Sequence, residues 1–322
     1  MLLEQRDALR GKAERPPHLL VMTATPIPRT VAMTVFGDLE TSTLAELPAG
    51  RAPIATSVVP VAEKPTWLER VWQRIREEVA AGHQAYVVCP RIGGDLAEPD
   101  ADPDESPADA DAENGFARRP PLAVVDILAM LTDGPLHGLR LAALHGRLGA
   151  EEKDDVMGRF GTGKVDVLVS TTVVEVGVDV PNATVMVVLD ADRFGVSQLH
   201  QLRGRIGRGT AAGVCLLVTD ASAGTPARER LDAVAATTDG FELARLDVEQ
   251  RREGDVLGAA QSGRRSQLRL LSLLRDEDLI VSARAEATDL IARDPHLGEH
   301  PLLAAELAVL QADERTEYLD KA

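Results

Sequence analysis

Residues 201–208 read QLRGRIGR and place three arginines within six positions. Arg205 and Arg208 are three residues apart, so they project from one side of the chain if this segment begins or ends a helical turn. Two planar guanidinium groups held together suit the spread negative charge of a polyphosphate during phosphoryl transfer. The glycines at 204, 207 and 209 favour this chemistry over a solvated basic turn, because glycine lets the backbone approach a ligand or partner closely.

The elements around this segment are predicted from hydrophobic patterning. The continuous apolar runs at 165–169 and 184–189 are typical of strands buried on both faces, and their alternation with helical patterns indicates a parallel sheet. Further strands are predicted at 18–22, 54–61, 86–89 and 139–144, and helices at 67–81, 122–131 and 151–160. Beyond Val218 the pattern is helical. The expected fold is α/β, a parallel sheet with flanking helices followed by a mainly helical C-terminal region.

One predicted helix carries a regular apolar stripe. Trp67, Val71, Ile75 and Val79 follow one another at intervals of four residues. This spacing puts them on one face of the helix, and a face of this kind indicates core packing rather than a surface that stacks bases.

Composition limits the class of protein. The chain has 322 residues, 44% of them hydrophobic, which is enough for a well-buried core and for two domains. No apolar stretch approaches the ~18 residues of a membrane span, so we expect a cytoplasmic protein without a membrane partner. Cys89 and Cys215 lie in apolar, strand-like runs and are expected to be buried reduced thiols. Two distant cysteines are too few for a metal site, and no metal-binding residue is predicted.

Two stretches resemble a known family. Residues 170–181 (STTVVEVGVDVP) and 201–209 (QLRGRIGRG) resemble the fifth and sixth conserved motifs of superfamily 2 helicases, in the form shared by RecG-type helicases and transcription-repair coupling factors. In such proteins two RecA-like domains clamp ATP between them, and DNA lies across both. The resemblance therefore implies that the predicted sheet is a RecA-like motor domain.

The same resemblance implies functions for single residues. Arg205 and Arg208 match the arginine fingers, and Gln201 takes the polar position that leads the sixth motif. An arginine finger accelerates phosphoryl transfer by about 10³ to 10⁵, on the order of 4 to 7 kcal/mol of barrier. Gly177 and Asp179 match the pair that touches nucleotide and couples it to DNA. The hydroxyl residues that match the positions meeting a DNA phosphate are Ser170, Thr171 and Thr172.

Coupling residues are implied at both ends of the chain. Residues 23–30 (TATPIPRT) resemble the third motif, in which Thr23 and Thr25 link ATP hydrolysis to DNA movement. Residues 240–263 resemble the helical hairpin and loop proposed to turn closure of the ATP cleft into translocation, with Arg251 and Gln261 at its matching positions. Arg252-Glu253 stand where the family usually has Gly-Pro.

Three further residues are implied to lie near DNA. Arg91 follows a strand in a segment that resembles the fourth motif, while His145 and Arg147 follow another strand near the DNA track. No paired carboxylate or nucleophile accompanies His145, so acid-base catalysis is not expected there. The linker at 36–51 resembles that of the RecG-type helicases specifically and differs from that of the coupling factors.

These motifs predict three regions. Residues 1–45 would be a remnant of a first RecA-like motor domain, 46–220 the second motor domain, and 221–322 the helical translocation hairpin with a C-terminal cap. Residues 93–121 are rich in Gly, Pro, Ala and acid, and we expect a disordered acidic insertion there because they bury too little apolar surface to offset chain entropy.

No phosphate-binding loop of the form G-x-x-x-x-G-K-[ST] occurs in the sequence. The nearest segment, Gly161 to Lys164, precedes a predicted strand and lacks the hydroxyl that would bind Mg²⁺. ATP and Mg²⁺ are therefore expected to be held mainly by a preceding N-terminal half of the same protein. The chain alone is predicted to be inactive in ATP hydrolysis.

The net charge of −16 is unusual for a DNA-binding protein. Nine acidic residues lie at 95–113 without any Lys or Arg, and removing them leaves −16 + 9 = −7. We therefore expect this chain to bind DNA weakly by itself, through a few placed contacts.

The expected function is that of the C-terminal half of a RecG-like ATP-dependent DNA helicase. Such an enzyme unwinds branched DNA, stalled forks and Holliday junctions, in recombination and repair. A monomer that works at the nucleoid is expected. Two alternatives stay open, namely the motor of a coupling-factor-like duplex translocase, and a truncated non-catalytic module that binds DNA or a partner protein.

Overall fold

The computed structural model describes residues 52–93, 121–175, 180–250 and 276–312. By its internal contacts the chain divides into two compact units, one of residues 45–247 and one of residues 1–44 with 248–322. The predicted strand at 18–22 and nearly all of the predicted acidic insertion at 93–121 lie outside the described residues.

A six-stranded sheet forms the centre of the first unit. Its strands are β1 (Ile54–Pro60), β2 (Gln84–Val88), β3 (Leu141–Leu144), β4 (Val167–Ser170), β5 (Ala183–Val188) and β6 (Gly213–Thr219). Their order in the sheet is β1-β6-β5-β2-β4-β3, and every neighbouring pair is parallel. All carboxyl ends therefore meet at one edge of the sheet and all amino ends at the other.

Helices cover both faces of the sheet. They are α1 (Thr66–Ala80), α2 (Val124–Asp133), α3 (Ala150–Gly161), α4 (Val196–Arg203), α5 (Pro226–Ala236) and α6 (Gly240–Gln250). Side chains of α1 and α2 pack in one buried cluster, and side chains of α3, α4 and α5 pack in another. The prediction of a parallel α/β sheet with flanking helices is confirmed, and the predicted element bounds differ from the observed ones by at most two residues.

The apolar stripe of α1 differs from the prediction at its first position. Val71 and Ile75 are buried as expected, and Val79 is half-buried against the same core. Trp67 is 43% exposed, so its predicted place in the core is wrong. It lies in the first turn of the helix, where Lys64 Nζ lies 3.9 Å from the ring centroid, and Trp72 fills the core instead.

The buried side chain of Gln84, in β2, has partners within the protein. Gln84 is 3% exposed, and its Nε2 donates to the carbonyl oxygens of Phe160 (2.6 Å) and Val165 (2.8 Å). Cys89 and Cys215 are buried free thiols, as predicted, and burial raises the pKa of each to about 12.

The C-terminal region is helical, as predicted. Within the second unit, α7 (Glu277–Arg293) and α8 (Pro301–Ala312) are separated by a turn in which Asp294 Oδ1 accepts from Gly298 N at 2.9 Å. Among the residues that the structure describes, no helix has the length and apolar character needed to cross a membrane.

Candidate functional site

The segment with the three arginines forms the end of α4 and the loop after it. Gln198 Oε1 accepts from Gly195 N at 3.1 Å and so closes the start of the helix, while Leu199 and Leu202 are buried. The chain continues past Arg203 for one turn and then reaches Gly207, whose φ of 65° is in the left-handed region. Glycine is favoured there because other residues meet a steric penalty. We call residues 204–209 the arginine loop.

Two glycines fix the place of the arginine loop. A Cβ at Gly207 would lie 2.7 Å from Ile54 Cγ1, and a Cβ at Gly209 would lie 2.6 Å from the carbonyl oxygen of Pro181. Both glycines therefore allow close packing against the protein's own chain, which corrects the expectation that they admit a ligand. Ile54 begins β1 and Pro181 precedes β5, so the arginine loop lies at the amino-terminal edge of the sheet.

The three arginines differ in exposure. Arg208 is exposed, and its Nε donates to the carbonyl oxygen of Gly204 at 3.1 Å. Arg205 is half-buried, as is Gln201 on α4. Arg203 is only 3% exposed. The predicted fingers Arg205 and Arg208 are thus the accessible pair, and their role stays a prediction.

Arg203 is a structural residue that the sequence reasoning missed. Its Nη1 donates to the carbonyl oxygens of Val234 (2.7 Å) and Thr237 (2.8 Å), and its Nη2 lies 2.8 Å from His200 Nδ1. Burial lowers the pKa of this guanidinium. Helical spacing contained the signal, because position 203 lies four residues after the buried Leu199 and so falls on the same face.

A second group of predicted residues lies at the carboxyl edge of the sheet. Ser170 ends β4, where it pairs with Val88 of β2 and Leu144 of β3. The residues that follow these three strand ends therefore meet at this edge, which we call the carboxyl edge. Together with Ser170 itself, they include all six residues that were implied to approach DNA, namely Arg91, His145, Arg147, Ser170, Thr171 and Thr172.

Accessibility varies among the hydroxyl groups at the carboxyl edge. Ser170 is fully buried, and within the described part of the chain its Oγ has no hydrogen-bond partner. Thr171 is 8% exposed, while Thr172, the first residue of a short 3-10 helix, is half-buried. As arranged, Ser170 offers no surface to a phosphate, and Thr172 is the most accessible hydroxyl of the three.

The basic residues of the carboxyl edge belong to its loops. Arg147 Nη1 donates to the carbonyl oxygen of Gly93 at 2.6 Å, and Arg91 forms a parallel bridge with Ala123. Burial lowers the pKa of His145, and the positive charge of Arg147 lowers it further. Both effects favour the neutral form of the His145 imidazole.

The two groups stand at opposite ends of the strands. β5 has six residues, which at about 3.3 Å each span roughly 20 Å between the edges. The segment 171–181 runs from Ser170 at the carboxyl edge to Pro181, which Gly209 contacts. Its predicted nucleotide residues, Gly177 and Asp179, lie outside the described residues. So do the predicted coupling residues Thr23, Thr25, Arg251 and Gln261.

The described residues fit a polyphosphate better than a metal ion. The arginine loop supplies planar cationic donors, which match phosphate oxygens. In the ranges that the structure describes, no group of three or more His, Cys, Asp or Glu side chains is placed to hold a metal ion.

Comparison with protein families gives two matches. Residues 122–210 match the helicase conserved C-terminal domain, and residues 237–313 match the family described as ATP-dependent DNA helicase RecG, domain 3, C-terminal. The first match includes the carboxyl edge after β3 and β4 together with the arginine loop.

Individual relatives agree with the family matches. RecG of Mycobacterium tuberculosis is 56% identical over 322 residues, which cover 99% of this chain and 41% of that protein. RecG of Bacillus subtilis is 42% identical over 292 residues, covering 91% of this chain and 39% of that protein. A solved structure of RecG bound to a three-way DNA junction is 37% identical with a TM-score of 0.59, covering 83% of this chain and 31% of that chain.

The chain thus spans less than half the length of the relatives that it matches. The matched relatives carry the same name, and the two family matches lie in the order expected for the arginine loop and the helical region that follows it. Over 99% of its length the chain is therefore similar to the C-terminal portion of the ATP-dependent DNA helicases called RecG.

Proposed function

We propose that this chain provides the second RecA-like motor domain and the coupling region of an ATP-dependent DNA helicase that unwinds branched DNA. The observation that carries the proposal is the division of the site between two edges of one sheet. The arginine loop lies at the amino-terminal edge, the implied DNA residues lie at the carboxyl edge, and one segment, 171–181, runs between them. A motor needs this arrangement because hydrolysis and DNA movement occur at different places.

Arg205 and Arg208 would act on the triphosphate. Phosphoryl transfer spreads negative charge over the equatorial oxygens, and a guanidinium that meets this charge stabilises the transition state more than the ground state. The nucleotide would be held by a first motor domain, as the absence of a phosphate loop in this sequence indicates. Gln201, on α4 just before the arginine loop, would orient the nucleotide.

The residues of the carboxyl edge would contact the phosphates of the DNA backbone. Arg91, Arg147 and Thr172 offer donors that suit phosphate oxygens, and contacts of this kind position a protein on DNA without reading its sequence. Branched DNA is the proposed partner because a solved relative is described as bound to a three-way DNA junction. We further propose a monomer that acts at the nucleoid, with Arg251 and Gln261 coupling hydrolysis to translocation.

The proposal is tested with a chimera in which this chain replaces the matching C-terminal 41% of the Mycobacterium tuberculosis relative. Forked DNA should stimulate ATP hydrolysis by the chimera and be unwound by it, while this chain alone should hydrolyse no ATP. A chimera that moves on duplex DNA but ignores forks would favour a coupling-factor-like translocase. A folded chimera without hydrolysis would favour a non-catalytic module.

A further inference from the structure

Arg203 connects two parts of the first unit that are distant in sequence. It is the last residue of α4 and directly precedes the arginine loop. Its Nη1 is shared between the carbonyl oxygen of Val234, in the last turn of α5, and that of Thr237, in the connection from α5 to α6. One guanidinium group therefore joins the start of the arginine loop to the α5–α6 junction.

The chemistry of both partners favours this contact. The last carbonyl groups of a helix have no partner within the helix, and the helix dipole makes that end negative. A buried cation needs compensation, since desolvating a charge is costly. Within the described part of the chain, no carboxylate lies within ion-pair distance of Arg203, so the two carbonyls and the His200 imidazole provide that compensation.

His200 completes the arrangement from the preceding turn of α4. Arginine nitrogens are always donors, so His200 Nδ1 accepts from Arg203 Nη2 and carries no proton. This bond fixes the plane of the guanidinium while Nη1 reaches the carbonyls. Lysine could not reproduce the contact, because its single ammonium lacks two separate nitrogen groups in a rigid plane.

We propose that Arg203 is a positioning residue, which holds the arginine loop in register with the α5–α6 junction so that Arg205 and Arg208 meet the triphosphate. The proposal rests on the proposed function. The α6 helix leads directly into residues 251–263, the segment proposed to couple hydrolysis to translocation. Arg203 would thus link the residues that sense the nucleotide with those that move DNA.

The test uses the same chimera with Arg203→Met and Arg203→Lys, and with Gln84→Met as a matched control. Gln84 is equally buried and also donates to two backbone carbonyls, but these belong to α3 and to the connection from α3 to β4. The measurements are kcat and KM for ATP with saturating forked DNA, base pairs unwound per ATP, and the thermal unfolding midpoint. Hydrogen exchange is measured in parallel on the chain alone.

We expect Arg203→Met to lower kcat by about tenfold or more with KM for ATP little changed, because a small misplacement of a catalytic group is costly. Arg203→Met should also unwind fewer base pairs per ATP. Arg203→Lys should recover part of kcat but unwind as few base pairs per ATP as Arg203→Met. Gln84→Met should lower the unfolding midpoint at least as much and leave kcat within about twofold of the unchanged chimera. Amide exchange at 204–209 and 237–240 should rise in Arg203→Met and stay unchanged in Gln84→Met.

Equal losses of kcat in Arg203→Met and Gln84→Met would overturn the proposal, since both would then reflect lost stability. Unchanged exchange at 204–209 in Arg203→Met would overturn it as well. If the unsubstituted chimera hydrolyses no ATP, the proposed function fails, and the exchange measurement still decides whether Arg203 holds the arginine loop.

Discussion

Gly209 contacts the carbonyl oxygen of Pro181 so closely that a Cβ at residue 209 would lie 2.6 Å from it. Real Cβ atoms do not approach a backbone oxygen to this distance. The contact joins the arginine loop to the end of the segment 171–181, which begins after β4 at the carboxyl edge. A displacement of the arginine loop toward Pro181 must therefore move the backbone at Pro181.

Replacing Gly209 with alanine tests this contact. The added methyl group must push the arginine loop away from Pro181, because neither backbone has room. We expect DNA-stimulated ATP hydrolysis by the chimera to fall by at least about tenfold. We also expect the unfolding free energy of the chain to fall by about 1–3 kcal/mol, as overpacking usually costs. Steady-state kinetics and denaturant unfolding measure the two effects.

Gly158 provides the matched control. It lies within α3, and a Cβ there meets nothing within 4 Å. Gly158→Ala should leave hydrolysis unchanged and stabilise the fold by about 0.5–1 kcal/mol, because alanine loses less backbone entropy in a helix. If both alanine variants hydrolyse ATP at the normal rate, the contact between Gly209 and Pro181 has no part in the motor.

Removing the acidic insertion should leave the fold intact. The described residues on its two sides are joined directly, since Val124 N donates to the Arg91 carbonyl at 2.9 Å. Leu122, which follows the insertion, is also held to the sheet, because its backbone N donates to Asp190 Oδ2 at 2.8 Å. A short Gly-Ser linker in place of 95–117 should therefore preserve the unfolding midpoint. The deletion removes nine acidic residues, so binding to forked DNA should tighten, most strongly at low salt. Fluorescence anisotropy at two salt concentrations measures this, and unchanged affinity at both would contradict it.

His145 should titrate below its ordinary range. Its pKa is lowered first by burial and then by Arg147, so the folded protein binds the proton less readily than the unfolded chain. The contribution of His145 to the free energy of unfolding is therefore fully present above the pKa of the unfolded chain, about 6.5. It is lost as the pH falls through the lower pKa of the folded protein. An NMR titration of the imidazole should show the low pKa, and Arg147→Met should raise it. A pKa at or above the ordinary value in the unsubstituted chain would contradict the description of the site.

Asp166 should stabilise the amino-terminal edge of β4. Burial alone would raise the pKa of this carboxyl, but hydrogen bonds from the Arg140 side chain and backbone outweigh it, and the pKa is lowered. The contribution of the Asp166 carboxylate to the free energy of unfolding is present above the unfolded pKa of about 3.9. It is lost as the pH falls through the lower pKa of the folded protein. Asp166→Asn should cost about 1–3 kcal/mol at neutral pH, measured by denaturant unfolding. A cost that persists undiminished at pH 2 would point to another cause.

Much of the sheet was predictable because its strands are buried on both faces. Runs such as 184–189 have no polar residue to interrupt them apart from a first threonine, and hydrophobic burial alone decides their conformation. Trp67 was misplaced because helical spacing gives a stripe without saying where the helix meets the sheet. Trp67, in the first turn of α1, stays largely exposed, and Trp72 packs in the core instead.

The residues of the candidate site were predicted from their resemblance to helicase motifs, and their roles stay predictions. The arrangement of Arg205, Arg208 and the residues of the carboxyl edge at opposite edges of the sheet came from the structure. The glycines at 207 and 209 were misread because sequence does not show what a backbone approaches. Arg203 was missed because its partners, Val234 and Thr237, lie more than thirty residues away along the chain.

The central claim is that this chain supplies positive charge to a triphosphate held elsewhere, and Arg208→Ala in the chimera tests it most directly. Arg76→Met serves as the control, because Arg76 is an exposed arginine that donates to the carbonyl oxygens of Pro135 and His137, remote in sequence from the arginine loop. We predict that Arg208→Ala lowers kcat by about 10³-fold or more while nucleotide affinity stays within a few-fold, and that Arg76→Met changes neither. Hydrolysis by Arg208→Ala at a rate close to that of Arg76→Met would contradict the account.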